Sequence, residues 1–98
     1  MTLKELFIQV KDENLNKYQL EDLHQKLSSL RSEMRLELAN ITKKKAIYML
    51  SSPDLTVAQR KINWQGTEEG QREIDLKAWI GATGDNLNSI KSRLYSNY

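Results

Sequence analysis

The sequence contains no cysteine, and that absence excludes a disulfide framework, thiol catalysis and thiolate metal ligation. Histidine occurs once, as His24 beside Leu23 and Leu27, where a surface or seam-flanking ring is a simpler assignment than a general base or a ligand. No Walker loop, nucleophile elbow or HExxH motif is present, and the glycine-containing stretches lack a phosphate-cradle pattern. Glu33 and Glu37 stand one helical turn apart but have no Glu-x-x-His companion, so helix-surface charge accounts for them better than a metal site. The expectation is a protein that is not an enzyme and holds no metal and no cofactor.

Long apolar runs are also missing. The start, Met1-Thr2-Leu3-Lys4-Glu5, mixes both signs of charge and continues into no segment long enough for a signal peptide or a membrane span. A soluble cytoplasmic protein with no membrane partner is therefore expected. Proline occurs once and glycine four times in 98 residues, so little interrupts helical geometry.

What is present is helical periodicity. Thr2 and Glu5 have capping-box spacing, and Leu3, Leu6, Phe7 and Val10 follow on one face, predicting a short helix over 3–13. Asn16 and Gln19 repeat the signal, flanked by Leu15 and Leu20 as a hydrophobic staple. From there Leu20, Leu27, Met34, Ile41 and Tyr48 fall seven apart, with Leu23 and Leu30 between them, predicting a long helix over 17–50 with a coiled-coil-like seam. Glu37 and Lys44 break the second seam position, while Leu36, Leu38 and Ile47 carry apolar surface to other sides. Pro53 ends that helix.

Thr56 and Gln59 open a helix over 56–64, and Thr67 followed by Glu68 and Glu69 opens the last, over 67–95. In the last helix Leu76, Ile80, Thr83, Leu87, Ile90 and Leu94 alternate four and three apart, a second seam able to lie antiparallel to the first. Gly81 and Gly84 point to a kink or a close approach near Trp79.

The fold class expected is all-α: one helical domain over 1–98, an antiparallel long-helix hairpin with a short N-terminal helix. A hairpin leaves each apolar stripe covered on one side only. Pairing of two copies into a helical bundle, with Leu20, Leu27, Met34, Ile41, Tyr48, Ile80, Leu87 and Leu94 as the oligomer seam, is the expected solution. The alternative is that the first helix folds back and caps the hairpin of a monomer.

Charge is unevenly distributed. Residues 43–61 hold five basic side chains and one acidic, whereas acids exceed bases by one on either side. Lys43, Lys44 and Lys45 near the end of one long helix, with Arg60 and Lys61 on the return, would form a basic tip. Such a tip either complements a helix dipole and keeps a turn soluble, or meets an anionic partner such as nucleic acid. Trp64 beside it is either a core residue or a contact for a base or a protein. Tyr95 and Tyr98 at the end of the last helix suggest a contact that orders it.

The run Trp64-Gln65-Gly66-Thr67-Glu68-Glu69-Gly70-Gln71, with Glu73, Leu76-Lys77 and Ile90-Lys91-Ser92-Arg93-Leu94, resembles small helical-hairpin proteins of bacteriophages and prophages. The resemblance covers roughly the last third of the chain. It implies a phage setting inside a bacterial host. There, such proteins bind host machinery, including anti-defence inhibitors of nuclease or CRISPR-type systems, or assist phage recombination and replication. It carries over no catalytic residue. The partner expected is a host or phage protein or nucleoprotein, with nucleic acid through the basic tip as the alternative and a structural or assembly role as a third.

Overall fold

The computed structural model describes residues 2–96, which form four helices and no strand. They are α1 (Leu3–Val10), α2 (Lys17–Leu50), α3 (Val57–Gln65) and α4 (Glu68–Ser96). Helix α2 packs antiparallel against α4, the all-α hairpin that the two apolar seams predict.

Local chemistry sets the helix ends. Thr2 Oγ1 accepts from the Glu5 amide at 3.2 Å and starts α1. That helix stops at Val10 rather than running to residue 13. The Lys11 and Asp12 amides turn back to Ile8 and Gln9, and the Asp12 carboxylate accepts from the Asn14 amide at 2.9 Å, a local bond that competes with continued helix. Asn16 and Gln19 close a reciprocal box at 2.8 and 2.9 Å before α2. Thr56 and Gln59 do the same before α3, at 3.2 and 3.0 Å. The α3–α4 junction is tight because Thr67 Oγ1 donates to the Trp64 carbonyl at 2.6 Å and accepts from the Gly70 amide at 3.0 Å. A Cβ at Gly70 would overlap the Trp64 carbonyl oxygen, so only glycine fits this corner.

The chain divides into two compact units. Unit 1 comprises Met1–Glu33 and Ile80–Tyr98. Its core is Leu6 and Val10 from α1, Leu20, Leu23 and Leu27 from α2, and Ile90 from α4, with Leu30, Leu87 and Leu94 packed around them. Arg93 fastens α1 by donating to the carbonyls of Val10 at 2.7 Å and Asp12 at 2.6 Å. Arg31 lies over Gly84 and donates to the Ile80 carbonyl at 3.2 Å, so Gly84 leaves room for a guanidinium.

Unit 2 comprises Met34–Trp79. Ile41, Trp64 and Leu76 form its core, with Met34, Leu38 and Tyr48 packed against it.

The expected oligomer seam is corrected by these cores. Leu20 and Leu27 are fully buried in unit 1 and Leu87 and Leu94 pack on them, while Met34, Ile41 and Tyr48 belong to the unit 2 core. Ile80 is half-buried in unit 1. The physical reason is that α1 covers the apolar stripe in unit 1 and α3 with α4 covers it in unit 2, so these residues serve contacts inside one chain.

Candidate interaction surface

Unit 2 contains most of the residues that the sequence singles out. Its polar centre is Glu73, whose side chain is 7% exposed. Glu73 Oε1 accepts from Trp64 Nε1 at 3.2 Å and from Lys45 Nζ at 3.2 Å, and Lys77 Nζ lies 3.9 Å from Oε2. Burial alone would push this carboxyl up, but the hydrogen bonds from Trp64 and Lys45 and the two lysine charges outweigh it and hold it below the ordinary glutamate range. One carboxylate thereby ties α2, α3 and α4 together.

Trp64 is 3% exposed, and its ring meets Tyr48 at 5.4 Å between centroids with planes inclined by 57°. It is a core residue. Its face cannot stack a base or anchor a partner, because the indole is enclosed by its own unit and its N–H is committed to Glu73.

The five cations of the expected tip have different roles. Lys45 is bound to Glu73, and Lys44 lies 3.7 Å from Glu69. Arg60 is half-buried and donates to the carbonyl of Met49 in the last turn of α2 at 2.7 Å, an acceptor left open by the helix end, and to that of Leu55 in the connection before α3 at 3.0 Å. Lys43 and Lys61 are exposed and have no ion-pair partner among the described residues. A continuous patch of five free charges does not form, because α4 brings Glu69 and Glu73 against the lysines of α2.

The sequence reading missed two partners. Arg72 binds Glu37 through both carboxylate oxygens, at 2.5 and 2.9 Å, and its guanidinium also sits 5.0 Å from the centroid of the Trp79 ring. The hydrogen bond from Arg72 lowers the Glu37 carboxyl despite partial desolvation. Glu37 breaks the heptad seam, and Arg72 is the reason it can. The second miss is Glu73, whose signal was an acid three residues before Leu76 and therefore on the buried face of α4.

A groove of about 580 Å³ opens beside the core of unit 2, lined by Lys44, Ile47, Tyr48, Ser51, Trp64, Thr67, Glu68 and Glu69. Ile47 is 72% exposed in its lining, and Glu69 lies 3.7 Å from Lys44 there. In unit 1 a smaller groove of about 270 Å³ is lined by Glu21, His24, Lys91, Leu94 and Tyr95. His24 there is half-buried with Nδ1 3.5 Å from Ser28 Oγ, and Tyr95 is 70% exposed. Tyr98 lies outside the described residues.

Among the described residues no group of three or more His, Asp or Glu side chains could hold a metal ion, and no helix is long and apolar enough to cross a membrane. The fold and these grooves define a helical-hairpin protein with a partly apolar surface on unit 2. Comparison of the chain with protein families, with curated proteins and with solved structures finds no match.

Proposed function

We propose that this chain is a non-enzymatic interaction protein that binds a protein partner through the groove of unit 2. The observation that carries the reading is the make-up of that groove: Ile47 and Tyr48 supply apolar surface over the buried Trp64, and the rim charges Lys44 and Glu69 are already paired. An apolar floor with a mixed, largely neutralised rim suits a protein side chain or helix. Phosphate would meet the carboxylates of Glu68 and Glu69 there. Glu73, held ionised by two hydrogen-bond donors and the charge of Lys77, is the reverse of a proton-transfer group poised near neutrality, which supports binding rather than catalysis. The resemblance to phage hairpin proteins adds a setting, in which the partner is a piece of bacterial host machinery, such as a defence nuclease, that the protein blocks or adapts.

The test is capture from bacterial lysate on the immobilised chain, compared with the Ile47→Glu variant, whose exposed position leaves the core untouched. A stoichiometric protein recovered by the natural chain and lost by the variant is the expected result. Recovery of nucleic acid alone would sink the reading in favour of a DNA-binding accessory role. In that role Lys43 and Lys61 by themselves would give a log–log salt slope of only about 1.8 on duplex DNA.

A further inference from the structure

Helix α2 carries a second seam, on the side away from its core. Leu36, Ala39, Lys43, Ala46 and Leu50 recur three and four residues apart, and all five are exposed. At about 100° per residue they lie roughly 140–180° around the helix from Ile41, which faces the core of unit 2. Leu36 is 69% exposed and Leu50 79%, so the stripe carries large apolar groups as well as small ones.

We propose that this seam pairs α2 antiparallel with α2 of a second copy of the chain. The argument is the order of large and small residues. Leu36, Lys43 and Leu50 occupy one seam position and Ala39 and Ala46 the other. In a parallel pair each position meets itself, so alanine faces alanine across a gap and Lys43 meets the same charge. In an antiparallel pair the two positions exchange. Leu36 then packs on Ala46 of the second copy, and Lys43 lies over Ala39. The alanines let the backbones approach, and the lysine stem crosses a methyl group while its ammonium reaches water. The pattern is self-complementary in that one orientation, and it gives Lys43, which has no ion-pair partner among the described residues, a place in the interface. The seam is separate from the groove through which a protein partner is proposed to bind, except that Ile47 flanks both.

About four helical turns from each copy make a contact at or below the lower end of stable interfaces, so association is expected to be weak and is sought with the chain at tens to hundreds of micromolar. Sedimentation of the full chain across that range should show a reversible dimer, and Leu36→Glu should weaken it about tenfold or more with unchanged helicity. Because the natural chain has no cysteine, single introduced thiols report the register. Leu36→Cys and Ala46→Cys chains, mixed under mild oxidation, should cross-link to each other and not to themselves, since like positions lie about 15 Å apart along an antiparallel pair. A chain that stays monomeric, a dimer indifferent to Leu36→Glu, or self-cross-linking of either cysteine variant overturns the proposal. Because Leu36 does not line the groove, Leu36→Glu should still capture the protein partner from lysate, so the two readings fail separately.

Discussion

Unit 1 buries six aliphatic residues drawn from three helices, whereas unit 2 buries Ile41, Trp64 and Leu76 beside the charged Glu73. In unit 1 the arginines act as clasps at the edge, each donating to backbone carbonyls. In unit 2 cations meet carboxylates, in the pairs Lys45–Glu73, Lys44–Glu69 and Arg72–Glu37. The pairs Lys17–Glu21 and Lys26–Asp22 of unit 1 are exposed and lie within α2, so between helices the two units rely on different kinds of stabilisation. Apolar burial is insensitive to salt and to mild acid, while ion pairs respond to both. Unit 2 also carries most of the large exposed apolar side chains, Leu36, Ile47, Leu50, Val57 and Ile62 among them. The less apolar core coincides with the surface better suited to partners.

The largest expected effects come from the two cores. Trp64→Ala should destabilise unit 2 by about 4 kcal/mol, since it removes a buried indole and leaves Glu73 short of a donor. Leu27→Ala should cost unit 1 about 3 kcal/mol. Hydrogen exchange on each variant separates the units: protection should fall first in the unit that carries the change. If both units lose protection equally in both variants, the division is one of contacts only and the chain unfolds as a whole.

Much of this arrangement was legible in the sequence, and the part that was not has a common cause. The boxes at Asn16–Gln19 and Thr56–Gln59 are local and formed as their spacing predicts. The seam from Leu20 to Tyr48 is visible as an apolar face because helical periodicity survives without knowledge of the partner helix. Its assignment to a second copy was not right, since these residues pack within one chain. What covers a seam is not local. That α1 closes unit 1, and that α3 brings Trp64 onto Tyr48, depends on how the chain turns at Asn14 and Pro53. For the same reason three lysines in a row read as an open basic tip. Lys44 and Lys45 belong to a charged interface with α4 whose acids lie more than twenty residues away in sequence. Arg60 read as a free cation because the carbonyls it satisfies are backbone, which a sequence does not display.

Acid should distinguish the units next. The folded state holds Glu73 below its ordinary value of 4.5, so its ionised form contributes stability above that pH and loses it as pH falls through the folded value. Thermal melts below about pH 4.5 should therefore show unit 2 loosening before unit 1, followed through the fluorescence of buried Trp64. Glu73→Gln keeps the shape and removes the titration. It should lower stability at neutral pH, where Lys45 loses its counter-charge, and flatten the acid limb. An acid limb unchanged in Glu73→Gln would assign the loss to other carboxylates.

The smallest effect separates the exposed pair from the buried one. Glu37 and Arg72 are each more than 40% exposed, so their bidentate contact is screened and contributes no more than about 1 kcal/mol. A double-mutant cycle with Glu37→Gln and Arg72→Met isolates the coupling, which should shrink towards zero in 1 M salt, where screening acts over about 3 Å. The Arg72 contact with the Trp79 ring enters both arms that contain Arg72→Met and cancels from the coupling. The same cycle on Lys45 and Glu73 should keep most of its coupling in high salt, because the carboxylate is buried and the indole N–H holds it in place. If both couplings vanish together, solvent reaches Glu73 as freely as Glu37. The polar centre of unit 2 would then be a surface network rather than the buried tie between its helices.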